Sequence, residues 1–177
     1  MLVGNDIIDL LSTPPHPKFY DRITSLKEKE IFEKGNITAL KLWAAKEAGY
    51  KALYQKNPCI TGIPRRFEVA KGYSEVRCGE QATQIRLTVT DQFILAEAYQ
   101  SPSTARSEIL LISGGDQSAS ARTAAKTLLE KEPFNLNCDE FEVIKFGKVP
   151  RVVTKNGCEY PISLSHHGRF AAATVLI

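Results

Sequence analysis

The chain has 177 residues, enough to bury an apolar interior as one compact domain or as two small halves that share a core. With 43% hydrophobic and 24% charged residues, its composition excludes a disordered or fibrous protein. The net charge of +3 is too small to indicate a nucleic-acid-binding protein, but it suits an acidic protein partner.

The sequence gives no sign of export or membrane insertion. No apolar run approaches the roughly 18 residues that span a bilayer, and the first residues lack a basic segment followed by an apolar one. The cysteines, at positions 59, 78, 138 and 158, form no CxxC pair, so reduced thiols are favoured over a zinc site or disulfides. We therefore expect a cytoplasmic protein that binds neither a membrane nor nucleic acid.

The first predicted element is a strand over residues 2–10, rich in Val and Ile but interrupted by Asp6 and Asp9. A proline-rich turn follows at Pro14, Pro15 and Pro17. A carboxylate inside an apolar strand is costly unless it is paired or bound to a cation. Asp6 is therefore expected to have such a partner.

Two helices are predicted after this turn. Ser25 and Glu28 form a capping-box pattern that opens the first helix, which Gly35 closes. Thr38 caps the second and longer helix over residues 39–55, because this segment is rich in Ala, Leu, Lys and Glu and contains no proline.

The rest of the chain is mostly β-rich. Strands are predicted at residues 67–69, 85–90, 93–99, 108–112, 141–146, 149–154, 161–165 and 170–177. A polar connection at residues 101–107 precedes the fourth of these strands. A helix over residues 118–132 follows it, opened by the capping segment Ser-Gly-Gly-Asp at residues 113–116.

The order of a helix followed by strands occurs twice, and three short matches support an internal repeat. Ala-Ala-Lys at residues 44–46 recurs at residues 124–126, and Phe-Glu-Val at residues 67–69 recurs at residues 141–143. The alternating segment that precedes Phe93 resembles the one that precedes Phe170. We therefore expect an α+β fold of two similar halves, each a helix packed on a small antiparallel sheet.

The long helix places Trp43, Glu47 and Lys51 on one face, because residues four apart are neighbours on a helix. Taken alone, an exposed Glu and Lys pair is the favoured interpretation, and it contributes only about 0.2–0.5 kcal/mol. Taken alone, Asp6 is equally consistent with an acceptor for backbone N–H groups and with a ligand for Mg²⁺. These residues by themselves leave the alternatives open.

Two motifs decide between these alternatives. Residues 43–51 read Trp-Ala-Ala-Lys-Glu-Ala-Gly-Tyr-Lys, which resembles the signature helix of the 4′-phosphopantetheinyl transferases: an aromatic, a small residue, any residue, Lys-Glu-Ser/Ala, two residues and Lys. Residues 4–8 read Gly-Asn-Asp-Ile-Ile, which resembles the other signature of that family, Gly-X-Asp followed by an apolar residue. Two motifs in the expected order are far more specific than either one.

The resemblance implies transfer of 4′-phosphopantetheine from coenzyme A to a serine of an acyl or peptidyl carrier protein. It implies that Asp6 and Glu47 hold Mg²⁺, which bridges to the pyrophosphate of coenzyme A, a usual magnesium arrangement. Glu47 and Lys51 are the implied catalytic residues. Lys51 contacts the phosphates and protonates the departing nucleotide, while Glu47 or a metal-bound water accepts the serine proton. Lys46 supplies further positive charge to coenzyme A.

A third protein ligand for the metal is not implied. The surfactin-type branch of the family commonly has a second acid two residues after the first, but Ile8 stands there in this chain. Asp9 resembles the later acid of the short holo-acyl-carrier-protein synthases, in which water completes the coordination. Because Asp9 faces opposite to Asp6 in a strand, we expect water as the third ligand.

The C-terminal part carries the rest of the resemblance. Residues 161–167 read Pro-Ile-Ser-Leu-Ser-His-His, which resembles the family's Ser-X-Ser-His segment that contacts coenzyme A phosphates. This assigns Ser165 and His166 to coenzyme A, whereas His167 has no assigned role. Residues 147–151 resemble a Gly-Lys-Pro turn with one residue inserted, so Lys148 is a candidate phosphate contact, with a solvated lysine as the alternative.

The order of the parts differs from that of surfactin-type enzymes, which place the histidine-bearing half first. Here the metal-binding half is predicted at residues 1–100 and the half that binds the phosphates of coenzyme A at residues 101–177. One architecture is a rearranged two-half monomer with its site between the halves. The other is a short synthase with a long insertion, which would assemble as a trimer. The internal repeat favours the monomer with pseudo-twofold halves.

Two other functions are compatible with parts of the sequence. One is a degenerate, non-catalytic module that binds coenzyme A or a carrier protein. The other is a Mg²⁺-dependent phosphoester hydrolase, which would also use Asp, Glu and Lys. The hydrolase leaves the Ser-His segment and the repeat unexplained.

Overall fold

The structure is a computed structural model that describes residues 2–12, 16–100, 105–112 and 114–176. The predicted turn at Pro14 and Pro15, residues 101–104 of the predicted polar connection and Ser113 of the capping segment lie outside these residues. Within the described ranges the chain forms four α-helices and ten strands.

The elements alternate between helices and strands along the chain. The helices are α1 at Phe19–Ile23, α2 at Leu26–Ile31, α3 at Asn36–Lys56 and α4 at Gln117–Glu130. The strands are β1 at Val3–Asp9, β2 at Glu68–Val69, β3 at Glu75–Cys78, β4 at Gln81–Val89, β5 at Phe93–Tyr99, β6 at Ala105–Leu111, β7 at Phe141–Phe146, β8 at Val149–Thr154, β9 at Glu159–His167 and β10 at Phe170–Leu176.

The strands form two five-stranded antiparallel sheets that share one topology. The order is β1-β5-β4-β3-β2 in the first sheet and β6-β10-β9-β8-β7 in the second. In each sheet the opening strand pairs with the last strand of its half, and a helix follows that opening strand. The three sequence matches fall on equivalent elements of the two halves. The predicted α+β fold of two similar halves is therefore confirmed.

The predicted helix caps are partly correct. Ser25 and Glu28 form the capping box, in which the Ser25 Oγ accepts from the Glu28 N–H at 3.2 Å and a Glu28 carboxylate oxygen accepts from the Ser25 N–H at 2.8 Å. Gly35 does not close this helix, because the buried Phe32 already ends it in an extended conformation. Gly35 instead caps the start of α3, and Thr38 lies inside that helix.

Helix α3 packs closely against β1. Gly4 permits this approach, because a Cβ at its position would overlap the carbonyl oxygen of Ala48. The buried face of α3 is rich in alanine, whose small side chain keeps the helix near the sheet. The close packing explains the glycine of the Gly-X-Asp motif and sets Glu47 and Lys51 beside β1.

The second half repeats this packing with α4 on its own sheet. Its core contains Ala124, Ala125, Leu128 and Leu129 from α4 and Phe141, Val152, Ile162, Ala173 and Val175 from the strands. The rings of Phe93 and Phe170, which open β5 and β10, pack at 5.2 Å between their centroids.

Among the residues that the structure describes, none of the helices combines the length and the apolar character needed to span a membrane.

The halves meet along the free edge of β1, which side chains of β9 cover. The Ser163 Oγ accepts a hydrogen bond from the Asn5 N–H at 2.8 Å, and the His167 Nδ1 accepts one from the Asp9 N–H at 3.0 Å. Both bonds join residues 158 positions apart, so β9 keeps a constant register along β1. This contact brings the end of β9 beside the end of β1.

Candidate functional site

A cleft of about 650 Å³ opens between the halves where β1 and β9 end. Its polar wall contains Asp6 from β1, Glu47 from α3, and His166 and His167 from β9. The remaining wall is largely apolar and includes Ile8, Leu10, Phe19, Ile37, Leu40 and Trp43. The cleft therefore joins Asp6 and Glu47 of the first half to two histidines of the second.

Asp6 and Glu47 come from different elements but share one electrostatic environment. Burial raises the pKa of Asp6, although the charge of Lys51 opposes this rise. Burial also raises the pKa of Glu47, and repulsion from the Asp6 carboxylate raises it further. Two partly buried carboxylates that repel each other favour a cation beside them.

Lys51 supplies an ammonium group that is hydrogen-bonded to one of these acids. Its Nζ donates to the Asp6 Oδ1 at 3.0 Å and to the carbonyl oxygen of Asn5 at 2.8 Å. The Lys51 side chain is 29% exposed and lines a small pocket beside Lys148. The structure thus brings together Asp6, Glu47 and Lys51, the three residues that the two motifs singled out.

The donor set for a metal ion is small. In the described ranges, no group of three Asp, Glu, His or Cys side chains is placed to hold a metal ion. Asp9 is paired with the Arg169 guanidinium at 2.9 Å, and Ile8 is apolar. The protein ligands would therefore be Asp6 and Glu47. Two carboxylates fit Mg²⁺, which usually keeps several waters and takes phosphate oxygens from its substrate.

A smaller pocket of about 140 Å³ lies in the second half, and we call it the basic pocket. Its lining includes Arg122 from α4, Lys145 from β7 and Lys148 from the turn after β7. His166 lines both the basic pocket and the cleft, so the two spaces adjoin. Three cationic side chains around so small a volume favour an anion such as a phosphate group.

Comparison with known families adds an independent observation. A family model described as the 4′-phosphopantetheinyl transferase superfamily matches residues 2–100, which is more than half of the chain. The chain belongs to this superfamily. The matched region contains Asp6, Glu47 and Lys51, and membership supports phosphopantetheinyl transfer in general. A comparison with curated proteins gave no match.

One predicted site residue of this superfamily member lies outside the cleft, because Lys46 is buried with a side chain only 1% exposed. Its Nζ donates to the Glu28 carboxylate at 2.6 Å and to the carbonyl oxygens of Ile23 and Pro64. The prediction that Lys46 contacts coenzyme A is therefore wrong, since adjacent helix positions point in different directions. Lys46 thus ties the end of α1, helix α2 and the segment at Pro64 to α3.

Ser165 is also separated from the cleft. It is buried on β9, and its Oγ has no hydrogen-bond partner among the residues that the structure describes. It lies two residues from both Ser163 and His167, so it shares the face of β9 that those two side chains turn toward β1. The structure therefore places Ser165 at the junction of the halves, whereas the neighbouring His166 lines the cleft.

No sequence motif identifies Arg122, Lys145 or His167 as a site residue. Arg122 and Lys145 belong to no motif, and only the packing of α4 on the second sheet brings them to Lys148. His167 directly follows His166 and lines the cleft, but the Ser-X-Ser-His motif ends before it. On a helix over residues 117–130, Ser118 and Arg122 lie one turn apart on the same face. This spacing is the only sequence signal for the basic pocket.

The ion pair between Lys51 and Asp6 has a counterpart in the second half. There the Lys131 Nζ lies 2.6 Å from a carboxylate oxygen of Glu108. Asp6 on β1 and Glu108 on β6 each pair with an alanine of the last strand of their half. Each lysine stands seven residues after the first alanine of its Ala-Ala-Lys match. The two pairs are therefore equivalent in the repeat.

The second half lacks an equivalent of the second acid. The same alignment places Thr127 opposite Glu47, three residues after the first alanine of each match. Thr127 offers a neutral hydroxyl in place of a carboxylate. The pair of acids is thus a property of the first half alone.

Proposed function

We propose that this chain transfers the 4′-phosphopantetheine group of coenzyme A to a serine of an acyl or peptidyl carrier protein, as a holo-acyl-carrier-protein synthase does. The other product is adenosine 3′,5′-bisphosphate. The observation that carries this proposal is the meeting of Asp6 and Glu47 in one cleft, with Lys51 bonded to Asp6. Two acids beside an ammonium suit a pyrophosphate that binds as a metal complex.

The charge distribution along the two spaces suits the two phosphate groups of coenzyme A. We place the pyrophosphate in the cleft near Asp6 and Glu47, and the 3′-phosphate in the basic pocket near Lys148 and His166. His166 supports this placement because it lines both spaces. The assignment of Lys148 to coenzyme A gains support from Arg122 and Lys145, which would share the phosphate charge.

Asp6 and Glu47 would hold Mg²⁺, which supplies charge neutralisation at the phosphoryl group when it is bound. In the transfer, the serine oxygen forms a bond to the phosphorus that carries pantetheine. The bond from that phosphorus to the bridging oxygen breaks, and the electron pair leaves with adenosine 3′,5′-bisphosphate.

The protein residues handle the proton and the leaving group. Glu47 accepts the serine proton as a general base that lines the cleft. Lys51 donates a proton to the departing bridging oxygen. Its hydrogen bond to Asp6 keeps the Lys51 ammonium within reach of the cleft. Proton transfer from Glu47 to Lys51 through solvent then restores both groups.

The proposal includes the partner, the assembly state and the location. The net charge of +3 suits an acidic carrier protein. Both walls of the cleft come from one chain, so a monomer has a complete site and a trimer is not needed. We place the protein in the cytoplasm, where coenzyme A and carrier proteins meet.

Mass spectrometry of the carrier protein tests the proposed transfer. The chain is incubated with an apo carrier protein, coenzyme A and Mg²⁺, and the carrier is expected to gain the mass of one phosphopantetheine group. Omission of coenzyme A or addition of a chelator should prevent the gain. If fatty-acid, polyketide and peptide carriers all remain unmodified, the transfer proposal fails, and binding without transfer would identify the degenerate module.

A further inference from the structure

His167 is held in one chemical form by its contact with β1. Its Nδ1 accepts the hydrogen bond of the Asp9 N–H at 3.0 Å, so that nitrogen carries no hydrogen. A neutral imidazole with an unprotonated Nδ1 has its hydrogen on Nε2. The ring therefore presents one N–H donor on the side away from β1.

This ring is exposed and lines the cleft that contains Asp6 and Glu47. His166 also borders the basic pocket, whereas His167 lines only the cleft among these two spaces. The two adjacent histidines thus face different parts of the proposed substrate.

The turn that carries His167 is fixed against β1 by its next two residues. The Arg169 backbone N–H and guanidinium donate three hydrogen bonds to the Asp9 carboxylate, each at 2.9 Å. Gly168 has a φ of +55°, and a Cβ there would lie 2.5 Å from an Asp9 carboxylate oxygen. This turn therefore cannot move away from β1 without breaking the Asp9 contacts.

We propose that His167 is a substrate-binding residue whose Nε2–H donates to a pyrophosphate oxygen of coenzyme A. This inference rests on the proposed function and assigns His167 to the pyrophosphate and not to the 3′-phosphate. A neutral donor adds a directed hydrogen bond to the phosphate without adding a positive charge that would compete with a cation at the two acids.

Two variants separate the two sides of the imidazole ring. His167→Asn places an oxygen where Nδ1 lies, so it keeps an acceptor for the Asp9 N–H but has no group at Nε2. His167→Gln places an amide nitrogen near Nε2, so it keeps a donor but loses the acceptor. The midpoint temperature of thermal unfolding should be unchanged for His167→Asn and lower for His167→Gln.

Calorimetric titration with coenzyme A and with its form lacking the 3′-phosphate, both with Mg²⁺, measures the contact. His167→Asn should weaken binding about tenfold for both ligands, as expected for one lost hydrogen bond to a charged group. His167→Gln should retain most of the affinity. Unchanged binding by His167→Asn, or a loss confined to the ligand that has the 3′-phosphate, would overturn the proposal.

Imidazole ¹⁵N NMR of the wild-type protein gives a readout that does not depend on transfer. We expect the His167 Nδ1 to be unprotonated in the free protein and the Nε2 resonance to shift when coenzyme A is added. A protonated Nδ1 in the free protein contradicts the proposal. If the wild-type protein binds coenzyme A with this signature but modifies no carrier, the transfer proposal fails and the His167 contact stands.

Discussion

The ammonium of Lys51 lies 3.0 Å from the carboxylate of Asp6, so helix α3, which carries one motif, is bonded directly to strand β1, which carries the other. Gly4 makes the bond possible, because α3 approaches β1 so closely that a side chain would overlap the helix backbone. The close packing of α3 on β1 thus brings together Asp6 of one motif and Lys51 of the other. Glu47 completes the group from the preceding turn of the same helix.

Glu47→Gln should stabilise the metal-free protein at neutral pH. Burial and Asp6 raise the pKa of Glu47, so the folded protein binds a proton there more readily than the unfolded chain does. The charged form therefore costs stability above this raised pKa, and the cost disappears as the pH falls through it. We expect a higher Tm for the variant at pH 7 with a chelator present, and a smaller difference near pH 4.

Glu130→Gln is the matched control, since Glu130 is exposed on α4. Its Tm should follow that of the wild-type protein at both pH values. A Tm for Glu47→Gln below that of the wild-type protein at pH 7 would contradict the repulsion between Glu47 and Asp6.

Lys46→Met should unfold the protein more easily without removing any cleft residue. The variant leaves the Glu28 carboxylate buried without its ammonium partner, and such a loss typically costs about 3–5 kcal/mol. Lys126, at the equivalent position of the Ala-Ala-Lys repeat, is exposed, and Lys126→Met should cost less than about 0.5 kcal/mol.

Urea unfolding of both variants measures this difference. The double variant Lys46→Met with Glu28→Gln should recover part of the loss, because no unpaired charge remains buried. Equal urea midpoints for Lys46→Met and Lys126→Met would contradict the buried ion pair of Lys46. Lys46 would then again be a candidate for a phosphate contact.

Gly168→Ala should weaken the junction between the halves. Its φ of +55° is unfavourable for alanine, and the added Cβ would displace the Asp9 carboxylate from Arg169. Gly157 has a φ of +83° with open space around it, so Gly157→Ala reports the backbone cost alone. We expect Gly168→Ala to lose about 2 kcal/mol more than Gly157→Ala in urea unfolding, and similar losses would show that the carboxylate simply moves aside.

Local sequence signals predicted much of this fold. Patterns that span a few residues predicted the capping box at Ser25, the long helix and the strands after Phe93, and the three repeat matches predicted two similar halves. The four-residue β3 was missed because it is too short for a period to be recognised. These elements depend on interactions between near neighbours in the chain.

The remaining features depend on contacts between distant residues. Lys46 and Glu47 are adjacent in one motif, yet only the position of Glu28 shows that Lys46 is buried. Likewise, the bond from Asp9 to His167 spans 158 positions and has no sequence pattern. The motifs pointed to Asp6, Glu47 and His166, which line the cleft, whereas the position of His167 required the three-dimensional contact of β9 with β1.

Thr127→Glu should create a second cation site in the second half. It would place a carboxylate beside the Lys131 and Glu108 pair, as Glu47 lies beside Lys51 and Asp6. With Glu47→Gln also present to remove the first site, a Mn²⁺ titration should show one bound ion for the double variant and none for Glu47→Gln alone. No binding by the double variant would mean that the repeat preserves the fold but not the geometry of the site.

The rate of carrier modification by Glu47→Gln and Glu108→Gln tests the central claim most directly. Glu47 belongs to the proposed site, whereas Glu108 occupies the position equivalent to Asp6 in the half without a second acid. With coenzyme A, Mg²⁺ and an apo carrier protein, we expect Glu108→Gln to retain the wild-type rate within about threefold and Glu47→Gln to lose at least about a hundredfold. Normal transfer by Glu47→Gln, or loss of transfer in Glu108→Gln alone, would contradict a site built on Asp6, Glu47 and Lys51.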